Sequence, residues 1–218
     1  MRVLVVVGIA VATGCGDDPP PIDISCKPVI VYLNNAGGVF RPGPHDDAVT
    51  NASVLVDAER TLAPWPNTDW YDLVACIRDH VFALPRLQLV TVDPGAVAHL
   101  EIVFTTAYWA NAGTTAIIPA SCRNDHQLEF VFGNAIPTTA RACHVALQDF
   151  AMMTANLSLV DDCHDLVNNT ADCSQDRSFQ DLTVNCVDEA AQPAPCRCGG
   201  TTTENTYRAL ATMFPPCT

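Results

Sequence analysis

Hydrophobic positions along this chain change their spacing several times, and each change marks an element. Val29-Ile-Val-Tyr-Leu33 is a short β-branched run and predicts a first strand. Asn34 to Ala52 is rich in Gly, Pro, Asn and Asp, which predicts loop. Between Asp69 and Leu84 the apolar residues Leu73, Val74, Ile77 and Val81 recur at helical spacing. Asp69 is the candidate N-cap, and Pro85 ends the helix. Strand patterns follow at Leu87–Val92, Leu100–Thr105, Thr115–Pro119 and Leu128–Phe132, with a turn at Asp93-Pro94-Gly95. Thr138 to Leu159 is helical and apolar on almost every face, the signature of a buried helix. Asp161 to Gly200 carries little apolar material, so its order is expected to come from disulfides. A last short helix, Glu204 to Phe214, stops at Pro215-Pro216.

A strand, helix, strand opening implies a parallel crossover. The later strands lie too close together for helical crossovers, so at least one antiparallel edge strand is expected. The predicted fold class is therefore α/β, a mixed sheet backed by two main helices, with a disulfide-rich irregular C-terminal part and a short final helix.

The N-terminus changes the picture of compartment. Arg2 precedes an apolar run from Val3 to Ala12, and Thr13-Gly14 lead to Cys15. The run is too short for a transmembrane helix and fits a secretory signal. Its ending resembles a bacterial lipobox, which implies cleavage before Cys15 and lipid attachment there. The alternative is an ordinary signal with Cys15 in a disulfide. Residues 1–14 thus read as a lipoprotein signal peptide, 15–25 as a lipidated Cys with a Pro-rich tether, and 26–218 as a single domain. Gly16 after the lipidated Cys points to the outer membrane of a cell envelope, by resemblance to Gram-negative lipoproteins. The 11 cysteines leave ten for disulfides once Cys15 is set aside, a usage suited to an oxidising compartment. Sequence-local pairings are Cys122–Cys143, Cys163–Cys173 and Cys186–Cys198, with Cys26–Cys76 and Cys196–Cys217 as further candidates, although spacing does not fix connectivity. The formal charge of −13 opposes binding to nucleic acid or anionic headgroups. Membrane attachment would come from the lipid.

Three stretches carry a family resemblance: Val31-Tyr-Leu-Asn-Asn-Ala-Gly-Gly with the Asp46-Asp47 loop, Val90-Thr-Val-Asp-Pro-Gly, and the tail from Phe179 through Cys186 and Pro195-Cys-Arg-Cys-Gly-Gly to Leu210. With the element order, they resemble metzincin proteases, in particular matrixin-like secreted proteins of myxobacteria-type bacteria. In that group the buried helix carries a motif like (H/Q)-E-x-x-H-x-x-G-x-x-H. Residues at i and i+4 share a helix face, so two imidazoles converge on one zinc, and the glutamate deprotonates the bound water. The resemblance puts Gln148 at the first ligand, Asp149 at the glutamate and Met152 at the second histidine. Ala155 takes the place of the glycine and Ser158 that of the third histidine. A register shifted by one, Asp149, Met153 and Leu159, is no better. An amide, a thioether and a hydroxyl are poor zinc ligands.

The resemblance therefore implies the fold and argues against the activity. The expectation is a catalytically inactive metalloprotease-like lipoprotein, without cofactor, that binds a protein or peptide in the former substrate cleft. Two alternatives stand beside it. One is a divergent zinc metallopeptidase using His144 with Asp149, or the cluster Asp161, Asp162, His164 and Asp165. The other is a structural envelope protein with no cleft ligand. The acidic cluster itself reads as a solvated turn held by Cys163–Cys173, and His45-Asp46-Asp47 as a loop whose carboxylates bond nearby amides. Trp65, Trp70 and Trp109 read as core or rim residues. No G-x-S-x-G elbow and no phosphate loop is present.

Overall fold

The computed structural model describes residues 26–65, 69–106, 115–118, 122, 126–169 and 176–216. The signal run, Cys15, the tether, Trp109, Cys173 and Cys217 lie outside the described residues. In chain order the elements are β1 (Val29–Asn34), β2 (Gly38–Pro42), β3 (Ala52–Ser53), β4 (Arg60–Leu62), α1 (Trp70–Val81), β5 (Leu87–Val90), β6 (Leu100–Thr105), β7 (Ala116–Ile117), β8 (Leu128–Phe132), α2 (Thr139–Ala155), β9 (Leu159–Val160), β10 (Val184–Val187), β11 (Thr203–Glu204) and α3 (Thr206–Met213).

The main sheet runs β5-β1-β6-β8-β7. β1 is parallel to β5 and β6, and β6 to β8. β7 closes one edge antiparallel to β8. This is the mixed α/β sheet with an antiparallel edge strand that the spacing predicts. Side chains alternate across it. Val31, Leu33, Ile102, Phe104 and Val131 pack with Leu73, Val74 and Ile77 of α1 and Ala142, Leu147 and Phe150 of α2. Val103, Phe130 and Phe132 point the other way, onto Phe40, Val56 and Leu62. With both faces covered, β8 is buried at all five positions, which is why it reads as a continuous apolar run rather than an alternation.

The segment 34–52 is not simply loop. β2 pairs with β3 and β4 to form a small sheet over the second face. Gly37 makes this possible: at φ 72° it lies against the Leu62 carbonyl, where any Cβ would collide. The carboxylates of the loop do bond nearby groups, as expected. Asp47 accepts from the amides of Val49 and Thr50. The buried Asp46 accepts from Ser53 Oγ at 2.7 Å.

Both long helices are shorter than their patterns suggest. Asp69 stands at the N-cap of α1 but makes no capping bond. α2 is capped by Thr138, whose side chain accepts from the Arg141 amide, and it stops at Asn156 in a left-handed conformation, not at Leu159. Leu159 and Val160 leave the helix because they pair with β10.

The stretch 161–200 is likewise not wholly irregular, since β10 bridges β9 and β11. The disulfides differ from the sequence-local pairings. Cys76 bonds Cys143, Cys122 bonds Cys198, and Cys186 bonds Cys196. These replace Cys122–Cys143, Cys186–Cys198, Cys26–Cys76 and Cys196–Cys217. Cys143 faces α1 across the helix interface, so its partner is 67 residues away and not a chain neighbour. Cys26 and Cys163 are also disulfide-bonded.

Candidate functional site

Helix α2 presents Val145, Gln148, Asp149 and Met152 on one side, at i, i+3, i+4 and i+7. That side meets the edge strand β7. Between them lies a cleft of about 440 Å³, lined by Thr115, Ala116, Val145, Gln148, Asp149 and Met152, with Leu159, Asn169 and Glu189 across it. Gln148, Asp149 and Met152, the positions the resemblance singles out, are thus brought together at one opening. A second hollow of about 500 Å³ lies beyond the C-terminal ends of β6 and β8, beside Trp65, Asp69, Gly133 and Thr138. Trp65 there stacks edge-on against Phe104, and Trp70 does the same, so both tryptophans belong to the packing. The cleft at α2 is the stronger candidate, because Asp149, a carboxyl held up by burial, lines it beside Gln148 and Met152.

Asp149 is pushed up to about 7 by burial, opposed by the positive charges of Arg197 and Arg141. Behind it, Glu129 on β8 is fully buried, and neither carboxyl oxygen has a hydrogen-bond partner. Burial first, and the charge of Asp149 second, hold Glu129 well above the usual carboxylate range. A charged carboxylate without partners is costly in such a place, so burial favours the protonated form of Glu129. Asp149 in the cleft lining is thus held up by burial, with the buried Glu129 behind it and the positive charges of Arg197 and Arg141 opposing the shift.

Ser158 is not part of this arrangement. Its amide donates to Glu204 Oε1 at 2.8 Å, and its hydroxyl accepts from the Arg197 amide. It ties α2's exit to the Cys-Arg-Cys segment. The turn belongs to Asn156 instead of Ala155, which is still helical.

The acidic turn is corrected in one respect. Asp161 accepts from Asn185, and Asp162 from the His164 amide, as a structural turn requires. Asp165, however, is wholly buried and not solvated. It accepts from the amides of Val167 and Gln180 and from the Thr206 hydroxyl, which holds α3 against the turn.

The donors in the cleft do not suit zinc. Gln148 offers an amide and Met152 a thioether, where zinc takes thiolate, imidazole or carboxylate. Among the described residues, no three of His144, Asp149, Asp162, His164 and Asp165 bring ligand atoms within 4.8 Å of one another. The groups that do are Cys76, His80 and Cys143, and Cys186, Cys196 and Glu204, and both lie outside the cleft lining.

Sequence reasoning missed Glu129. Its signal is a lone acid inside the apolar run Leu128-Glu-Phe-Val-Phe132, a pattern repeated by Glu101 in β6. The two acids do different work. Glu101 accepts from Asn34 Nδ2 at 2.7 Å on the opposite face of the sheet. Comparison with known proteins returns no match: no family model, curated protein or solved structure is significantly similar to this chain.

Proposed function

We propose that this protein is a metalloprotease-like lipoprotein of the cell envelope, catalytically inactive, whose cleft between β7 and α2 holds an extended peptide or protein segment. The carrying observation is the composition of that cleft: it lies beside an edge strand and is lined by Gln148, Asp149 and Met152. A metzincin-like reading of the fold gains support from the antiparallel edge strand and from the buried helix behind it. Among the described residues, β7 has no strand on its outer side, so a bound segment can add to the sheet through main-chain hydrogen bonds. Met152 supplies an adaptable apolar contact, and Gln148 and Asp149 polar ones.

Two measurements test this reading. Elemental analysis of purified protein is expected to find no stoichiometric zinc, and a random peptide pool is expected to survive incubation uncut. Stoichiometric zinc whose removal by a chelator abolishes peptide cleavage would overturn it. Binding of pool peptides is expected to fall when Ala116→Pro removes an edge-strand donor and when Met152→Arg fills the cleft. Binding unchanged in both variants would favour a structural role. For the anchor, Cys15→Ser is expected to release the protein from the membrane fraction.

A further inference from the structure

The bridge between the two main helices carries an additional ligand set. Cys76 and His80 stand one turn apart on α1, so both project from the same face. Cys143 and His144 are successive residues of α2, on the surface that meets it. One ligand atom from each of Cys76, His80 and Cys143 lies within 4.8 Å of the other two. The His144 ring stands edge-on to His80, with centroids 6.2 Å apart. Among the described residues, neither imidazole has a hydrogen-bond partner.

We propose that Cys76, His80, Cys143 and His144 form a zinc site in the thiol form of this protein, and that zinc and the Cys76–Cys143 disulfide are alternative ways of joining α1 to α2. The ligand chemistry is that of a tetrahedral structural zinc, two thiolates and two imidazoles. Charge balances as well: two thiolates neutralise the dication, so the half-buried site holds no net charge. Cys76, His80 and Cys143 are already grouped, whereas His144 must turn toward them and the two sulfurs must part. The two Cα atoms are 6.2 Å apart, toward the wide end of what a disulfide accepts. Two thiolates on one zinc place their sulfurs about 3.8 Å apart, given Zn–S bonds of about 2.3 Å.

The exchange is balanced with a dithiol reductant. The dithiol gives two electrons to the Cys76–Cys143 bond and becomes a disulfide. It releases two protons, and the two new thiolates bind the zinc ion. Reoxidation restores the bridge and expels the metal. Zinc would hold the helix pair before the bridge forms, or after it is lost.

The test uses the full chain, reduced with a phosphine and refolded without oxygen in the presence of cobalt(II) or zinc. Cobalt is expected to bind once, with the visible absorption of a tetrahedral thiolate site. Zinc is expected to protect Cys76 and Cys143 from alkylation, read by peptide mass mapping, and to leave Cys122 and Cys198 reactive. His80→Ala keeps the bridge, so its oxidised form checks that the variant folds, and its reduced form should lose cobalt affinity by at least about tenfold. Cys186→Ser with Cys196→Ser removes the other ligand group and should leave cobalt binding intact. The proposal is overturned if alkylation at Cys76 and Cys143 is the same with and without zinc, if His80→Ala binds cobalt unchanged, or if the reduced chain takes up no stoichiometric metal.

Discussion

Glu129 is the residue whose environment departs furthest from its chemistry, and the consequence can be measured. In the unfolded chain it ionises near pH 4.3. In the fold, desolvation and the charge of Asp149 keep it protonated to much higher pH. Above about pH 4.3 folding must therefore take up one proton, and stability falls by about 1.4 kcal/mol per pH unit until the folded group titrates. Glu129→Gln has the same shape and cannot ionise. Its unfolding free energy, from urea titrations at pH 5, 6 and 7, should decline less steeply than that of the parent chain. Equal slopes would mean that Glu129 is ionised and paired inside the sheet. Gln148→His with Met152→His tests the neighbouring positions. Two imidazoles at i and i+4 should confer zinc binding on the cleft, and adding Ser158→His should not tighten it, because Ser158 is turned toward Arg197 and Glu204. A clear tightening in the triple variant would put Ser158 back in the cleft.

At the scale of elements, the end of α2 decides what the cleft contains. Asn156 adopts φ 54° and ψ 33°, a conformation that branched side chains resist. Asn156→Val should destabilise the protein by about 1–2 kcal/mol, and Asn156→Gly should be close to neutral, as thermal unfolding will read. Such non-local demands separate the legible elements from the rest. β1, α1, β6, β8 and the body of α2 follow from their own apolar spacing, because each buries a whole face or both. Gln148, Asp149 and Met152 share a cleft because helical periodicity alone puts them on one side. β2–β4 and β10 are short, and partners far along the chain hold them, so Gly- and Pro-rich composition hides them. Ser158 left the site because a left-handed Asn156 and an amide 39 residues away claimed it. The disulfides elude sequence spacing for the same reason: proximity across α1 and α2 does not follow from proximity in sequence. Glu129 stands out in the sequence as a lone acid in an apolar run, but its burial follows from the packing of β8 against α2.

The whole molecule inherits an unusual pH dependence from these burials. Burial raises Glu101, Asp149 and Glu204 to about 7, and Glu129 and Asp165 also lie above their ordinary values. For each, the stability present below the unfolded value near 4 is lost as pH rises toward the folded one. His80 and His144 act in the opposite sense. Their folded values are lowered, to about 4 for His144, so stability is lost as pH falls below about 6.5. The raised acids oppose the lowered histidines at mildly acidic pH, and above about 6.5 the histidines contribute nothing further. The formal charge of −13 adds self-repulsion as the last carboxyls ionise. Domains of this size are stable by only about 5–15 kcal/mol, so even a strongly screened fraction of these terms is a large share of the total. The melting temperature should therefore be higher near pH 5 than at pH 8, with part of the difference removed by salt, which screens the surface repulsion but not the buried acids. A melting temperature that rises steadily from pH 5 to pH 8 would mean that the interior carboxyls are ionised and paired, and the upward shifts of Asp149 and Glu129 would then be wrong.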